Sequence, residues 1–189
     1  MNDRIHEENK ANTAQSTLEA SCSSAQKHGT LLFNALLAVL IALQILFPVC
    51  RVNGTSMEPS VHDGSIILST SRVDNLDYDA IVIFPNVYRG NLVKRVIGLP
   101  GDTIEIRDSV VFRNGEPLDE SYISQGYFGP FDLTGPVTVE EGHVFVLGDN
   151  RPDSLDSRSS LVGQVPIGTI KAVLICTLFS PMRIDPAKI

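Results

Sequence analysis

The sequence predicts a mainly β protein: an antiparallel barrel or sandwich behind one N-terminal transmembrane helix. Three observations carry that expectation. From Leu31 to Cys50, seventeen of twenty residues are apolar and none is charged. Beyond Cys50, short apolar runs recur between Gly, Pro and Asp turns, and helical periodicity is scarce. An Asn-Gly pair, Asn114-Gly115, separates two of these runs, the pattern of a tight hairpin.

Taken in order, residues 1–30 are polar, rich in Ser and Thr, and read as a disordered tail. Residues 31–50 (LLFNALLAVLIALQILFPVC) are long enough as a helix to cover the roughly 30 Å core of a bilayer. A buried core helix is the competing reading of such a run. Asn34 and Gln44 are tolerable in lipid, and Pro48 lies near the end. A secretion signal that is cut off would have a shorter apolar core and a small-residue exit, whereas this exit reads Pro48-Val49-Cys50-Arg51. The run is therefore expected to stay as an anchor. Lys27 and Arg51 flank it evenly, so charge does not orient it.

Residues 51–189 form the working domain, with 12 basic and 18 acidic residues. Expected strands are Gly64–Ser69, Ala80–Phe84 stopped by Pro85, Asn91–Ile97, Thr103–Arg107, Val110–Arg113 and Glu116–Leu118 joined by a type I′ turn, His143–Leu147, and Ile170–Leu178. Ser121–Pro136 reads as a surface loop. The stretch Ile170–Phe179 is too short for a second span and contains Lys171.

Composition excludes several classes. A net charge of −7 argues against a nucleic-acid partner, which would need a basic face. The three cysteines, Cys22, Cys50 and Cys176, are odd in number and widely spaced, so neither a disulfide framework nor a CxxC metal site is expected. No HExxH or comparable ligand spacing occurs, and no metal or other cofactor is expected.

Three segments carry chemistry. The first, Asn53-Gly54-Thr55-Ser56-Met57-Glu58-Pro59-Ser60, presents Ser56 in a turn shortly after the apolar run. Such a Ser is either a turn former or a nucleophile. The second runs from Asn91 to Asp102. In a strand, Leu92, Lys94 and Val96 share a face, and a Lys among apolar neighbours can lose its charge by desolvation. The competing reading is a Lys that snorkels to water. Lys171 is the runner-up and Lys188 is terminal. The third, Leu147 to Arg158, is dense in Asp, Arg and Ser. Its spacing does not fit an EF-hand, and Arg151 and Arg158 would oppose a cation, so a bracing network is the physical account. A Ser-His-Asp triad would need His62 or His143, and neither sits in a matching signature.

In this order behind an apolar run, the segments resemble the bacterial type I signal peptidase, or leader peptidase, family from about Leu31 to Phe179. Gly54-x-Ser56-Met57-x-Pro59 looks like its nucleophile box and Tyr78-Asp79-Ala80-Ile81-Val82 like its second box. Lys94-Arg95-Val96-x-Gly98-x-Pro100-Gly101-Asp102 resembles its general-base box. Gly148-Asp149-Asn150-Arg151-x-x-Ser154-x-Asp156-Ser157-Arg158 follows its last signature nearly residue for residue. The resemblance implies a Ser/Lys dyad of Ser56 and Lys94, with Ser154 bonded to the Lys amine and Met57 lining the floor. Asp149, Arg151, Asp156 and Arg158 would brace the site.

It also implies a single-pass plasma-membrane endopeptidase with its catalytic domain outside the cytoplasm. Its partners would be the bilayer and signal-peptide-bearing precursors with small residues before the cut. Two positions depart from some members: Gly54 stands where a Ser can serve the oxyanion, and Leu92 where Tyr can precede the Lys. The segment between the second and third chemical boxes is short, which implies a reduced accessory β-domain. Other readings of the same residues are a dedicated maturation peptidase, for example for a conjugation pilin, a non-catalytic anchored binding domain, and a self-cleaving repressor. The last lacks a DNA-binding half here.

Overall fold

The computed structural model describes residues 28, 30–123, 132, 133 and 135–181. Two compact units divide it, 1–44 and 45–189. An α-helix extends over 30–46, and its described side chains are exposed, among them Leu32, Phe33 and Leu36. Among the described residues, no helix is long and apolar enough to cross a membrane. The expected boundary at residue 50 shifts. The helix ends at 46, and Val49 and Cys50 belong to a strand instead. Pro48 explains the break, because a residue before proline is pushed out of the helical region and proline itself has no N–H to donate. The expected tail, 1–30, lies almost wholly outside the described residues.

The described residues of the second unit form eleven strands in two sheets. They are β1 (Val49–Arg51), β2 (Ile66–Thr70), β3 (Ile81–Asn86), β4 (Gly90–Gly98), β5 (Thr103–Arg107), β6 (Val110–Arg113), β7 (Glu116–Pro117), β8 (Val137–Thr138), β9 (His143–Leu147), β10 (Val165–Pro166) and β11 (Ala172–Phe179). The larger sheet is ordered β1-β2-β11-β3-β4-β9-β10 and the smaller β7-β6-β5-β8. All recorded pairings are antiparallel. The expectation of β architecture holds, but the barrel does not close: β1 and β10 end the large sheet and do not pair with each other.

Local sequence explains the strands that position the site. The β6–β7 hairpin turns on Asn114 (φ 55°) and Gly115 (φ 86°), the left-handed pair a type I′ turn demands. Strand β3 passes through Pro85 and ends at Asn86, where the sequence suggested a stop at Pro85. The reason is directional. Ile83 offers its carbonyl to Lys171 N–H, so odd-numbered residues of β3 face β11, and β11 pairs only as far as Ile83. The missing N–H of Pro85 therefore points where no strand asks for it.

Three apolar clusters fill the unit. Val82, Phe84, Val96, Val144, Val146, Val165 and Ile170 form one. Val52, Met57, Val61, Ile67, Ile83 and Ala172 form the second, beneath the segment that carries Ser56. Ile97, Ile104, Val111, Val139, Phe145 and Leu147 form the third, drawing on both sheets. Gly98 sits in the third cluster because a Cβ there would come within 2.9 Å of Ile104 Cδ1.

Candidate active site

The site grows from three pieces of backbone: the turn after β1, the middle of β4, and the loop after β9. Strand β4 pairs with β3 so that Lys94 lies opposite Val82 and Leu92 opposite Phe84, two fully buried positions. Alternation then sends Leu92, Lys94 and Val96 to one face and Arg95 to the other. Lys94 is 1% exposed. Its Nζ lies 2.6 Å from Ser56 Oγ and donates to the Val93 carbonyl at 2.8 Å. Burial drives its pKa down from 10.5 to about 8, against the opposing pull of Asp156 and Asp149.

The turn holding Ser56 is fixed from both ends. Gly54 has φ 108°, a backbone state suited to glycine, and its N–H donates to Asp63 Oδ1 at 2.7 Å. Asn150 N–H donates to the Ser56 carbonyl at 3.0 Å, and Asn150 Nδ2 to the Thr55 carbonyl at 3.2 Å. Thr55 Oγ1 donates to Asp153 Oδ2 at 2.5 Å. Behind the serine, Met57 is 1% exposed and anchors the turn in the second apolar cluster.

The loop after β9 is the brace expected from its composition. Asp149 accepts two bonds from Arg95, at 2.9 and 2.6 Å, and Arg95 also lies over the Tyr122 ring at 4.0 Å. Asp156 accepts from Gly148 N–H at 3.0 Å and from Arg158 Nε at 2.7 Å. Arg158 continues to the Arg151 carbonyl at 2.8 Å. Arg151 donates to the Gly148 carbonyl and pairs with the Glu120 carboxylate. Asp149, Arg151, Asp156 and Arg158 are each 1% exposed, so every one of these charges depends on its partner. Gly148 lets the pieces meet: a Cβ there would come within 2.6 Å of both Ser154 Cβ and the Ser56 carbonyl.

The eight residues singled out in the sequence lie on these three pieces of backbone. One expected contact is not formed. Ser154 Oγ is buried and finds no hydrogen-bond partner among the described residues, so it does not bond the Lys94 amine. The runner-up Lys171 is exposed and donates to Asn91 Oδ1 at 3.0 Å. Lys188 lies outside the described residues. His62 sits 3.8 Å from Glu58, and His143 contacts the Glu141 carbonyl; neither is bonded to Ser56.

Arg95, Thr55, Asp153, Gly148 and Glu120 join this network without a role having been assigned to them from the sequence. Arg95 was findable, since the neighbour of an inward Lys on a strand must point to the opposite face. Glu120 carried no local signal. Asp102, in the same box as Lys94, is a structural knot. It accepts from Leu99 N–H, Asn114 Nδ2 and Tyr78 OH, bonds that hold it below the usual carboxylate range although burial would raise it.

Two clefts meet at the dyad. One, of about 340 Å3, is lined by Val52, Ile67, Ile83, Leu92 and Val93 together with Arg51, Asn53, Arg89 and Asn91. The other, of about 520 Å3, extends over Gly54, Thr55, Pro152 and Ser154. Ser56 and Lys94 line both. A serine against a desolvated amine, open to a groove on each side, has the components of covalent acyl transfer.

Comparison with known proteins agrees in class. Residues 25–179 match the family described as signal peptidase, peptidase S26, and the chain belongs to that family. It is a serine peptidase of the signal peptidase I type. Among its relatives, signal peptidase I of Bacillus licheniformis is 38% identical over 143 residues, covering 67% of this chain and 75% of that one. Signal peptidase I T of Bacillus subtilis (strain 168) is 32% identical over 169 residues, covering 82% and 86%. A signal peptidase I crystal structure from Enterococcus faecalis V583 is 35% identical, covers 55% of this chain and 100% of its own, and superposes with a TM-score of 0.48. Enzymes of this family are membrane-anchored and act on exported precursors that carry signal peptides.

Proposed function

We propose that Ser56 and Lys94 form the catalytic dyad of a membrane-bound endopeptidase that removes N-terminal signal peptides from exported precursors. The observation that carries this reading is the 2.6 Å contact between Ser56 Oγ and a Lys94 amine that is 1% exposed. A charged lysine cannot accept a proton; one with a pKa near 8 is substantially neutral at mildly alkaline pH.

The neutral amine takes the proton as Ser56 Oγ attacks the scissile carbonyl. The Ser56 N–H donates to nothing among the described residues, which leaves it for the developing oxyanion. With Gly54 two residues earlier, that position supplies no side-chain hydroxyl. The ammonium formed on Lys94 protonates the departing amine, leaving an acyl-enzyme on Ser56. A water deprotonated by the same amine releases the product and restores the serine. Asp149, Arg151, Asp156 and Arg158 hold the loop that grips the Ser56 carbonyl, and they act through position.

As in the family it resembles, small uncharged side chains before the cut would enter the smaller cleft, beside Val52, Ile67, Ile83, Leu92 and Val93. The helix over 30–46, exposed and predominantly apolar, supports its reading as a single-pass anchor. The tail at 1–30 then stands on the cytoplasmic side and the peptidase domain on the other.

The test is cleavage of an Ala-x-Ala precursor by wild type, Ser56→Ala and Lys94→Ala in detergent, with a precursor bulky at those two positions alongside. Wild type alone should cut, and only the small-residue precursor. Cleavage by either variant at a near-normal rate, or equal turnover of both precursors, refutes the reading.

A further inference from the structure

The β3–β4 turn carries a charged group that the dyad does not use. Arg89 lines both clefts that converge on Ser56 and Lys94. Its base is held firmly: Tyr88 and Arg89 N–H both donate to Asn86 Oδ1, at 2.9 and 3.2 Å, and Asn86 Nδ2 reaches the Leu161 carbonyl at 3.3 Å. Gly90, at φ 76°, closes the turn. Its guanidinium, by contrast, has no ion pair or hydrogen bond among the described residues, unlike Arg95, Arg151 and Arg158.

Besides Lys94, which works as a neutral amine, and Cys50, the ionisable groups lining the two clefts are Arg51, whose guanidinium lies beside Gly64, Arg89, and Asp153, whose carboxylate accepts from Thr55. In a protein of net charge −7, Arg89 is thus a cation without an ionic partner at the mouth of the groove. A hydrogen-bonded turn presenting an uncommitted guanidinium to a peptide groove offers a carboxylate the planar donor fork that such a group accepts.

We propose that Arg89 is a specificity-determining residue that favours precursors bearing an Asp or Glu side chain within the few residues flanking the cut. This rests on the proposed signal-peptide cleavage, and its test separates the two. Fluorogenic peptides share one Ala-x-Ala site. Each carries a single Asp, or Asn as its neutral partner, at one flanking position, and a further pair carries Lys. The ratio of kcat/KM for Asp over Asn is measured within each enzyme variant, so any loss of folded enzyme cancels.

At one flanking position or more, wild type should favour Asp by about two- to fivefold, the range of a partly exposed ion pair, and the preference should shrink at high ionic strength. Arg89→Gln should bring the ratio to about one, and Arg89→Glu should invert it and favour Lys. Arg72→Gln, at a different turn and paired with Asp74, should keep the wild-type ratio. An unchanged ratio in Arg89→Gln, or no position at which Asp is favoured, overturns the proposal while leaving the peptidase reading intact. A wild-type enzyme that leaves the neutral peptide uncut overturns both.

Discussion

The pH dependence of cleavage should report the burial of Lys94 directly. Moving its pKa from 10.5 to about 8 is a difference of about 2.5 units, which corresponds to about 3 kcal/mol of disfavoured charge. Because the charged form is the disfavoured one, the neutral fraction is about one in ten at pH 7 and half at pH 8. In detergent, kcat/KM for a neutral peptide should rise about tenfold per pH unit below 7 and level off above about 8. Asp156, Asp149 and Asp153 pull this pKa upward, whereas Arg158 pushes it down. Asp153→Asn keeps an acceptor for Thr55 but deletes a negative charge, so the rising limb should move to lower pH. The same burial sets the sign for stability. Folding strips the proton between about pH 8 and 10.5 while the unfolded chain keeps it, so the penalty is full below 8, fades across that window and is absent above it. Lys94→Met should therefore stabilise the domain near pH 7 by up to about 3 kcal/mol while abolishing cleavage. A limb that keeps rising to pH 10, or Lys94→Arg cleaving at a near-normal rate, would refute the neutral-amine account.

Two further outcomes follow from the brace. Gly148→Ala places a methyl within 2.6 Å of the Ser56 carbonyl and Ser154 Cβ, so the nucleophile must shift; kcat should fall about a hundredfold, with circular dichroism unchanged. Asp156→Asn leaves the Arg158 guanidinium buried beside a neutral amide, and thermal unfolding at neutral pH should show a loss of about 3–5 kcal/mol.

Much of the site was legible because its parts are local in sequence. Alternation in β4 put Lys94 beside Leu92 and Val96, and the density of Asp, Arg and Ser after Leu147 marked a network. The Asn114-Gly115 hairpin followed from the φ its turn needs. What stayed hidden depends on distant chain. Val49–Arg51 forms β1 only because β2 offers it a partner, and within an apolar run it looked like more of the helix. β8 and β10 are two residues each, too short for any periodicity to show. An open sheet and a closed barrel have the same strand patterns, so closure was not written in them. Glu120 meets Arg151 across thirty-one positions, a distance at which a single sequence says nothing.

The adjacency of Lys94 and Arg95 on β4 has a consequence for when this enzyme can work. Slipping that strand by a single place would aim a permanently charged guanidinium at the nucleophile and strand an amine where Asp149 waits. The proposed dyad thus exists only in the finished β3–β4–β9 register, and a half-assembled chain emerging beside other unfolded polypeptides would carry no cutting edge.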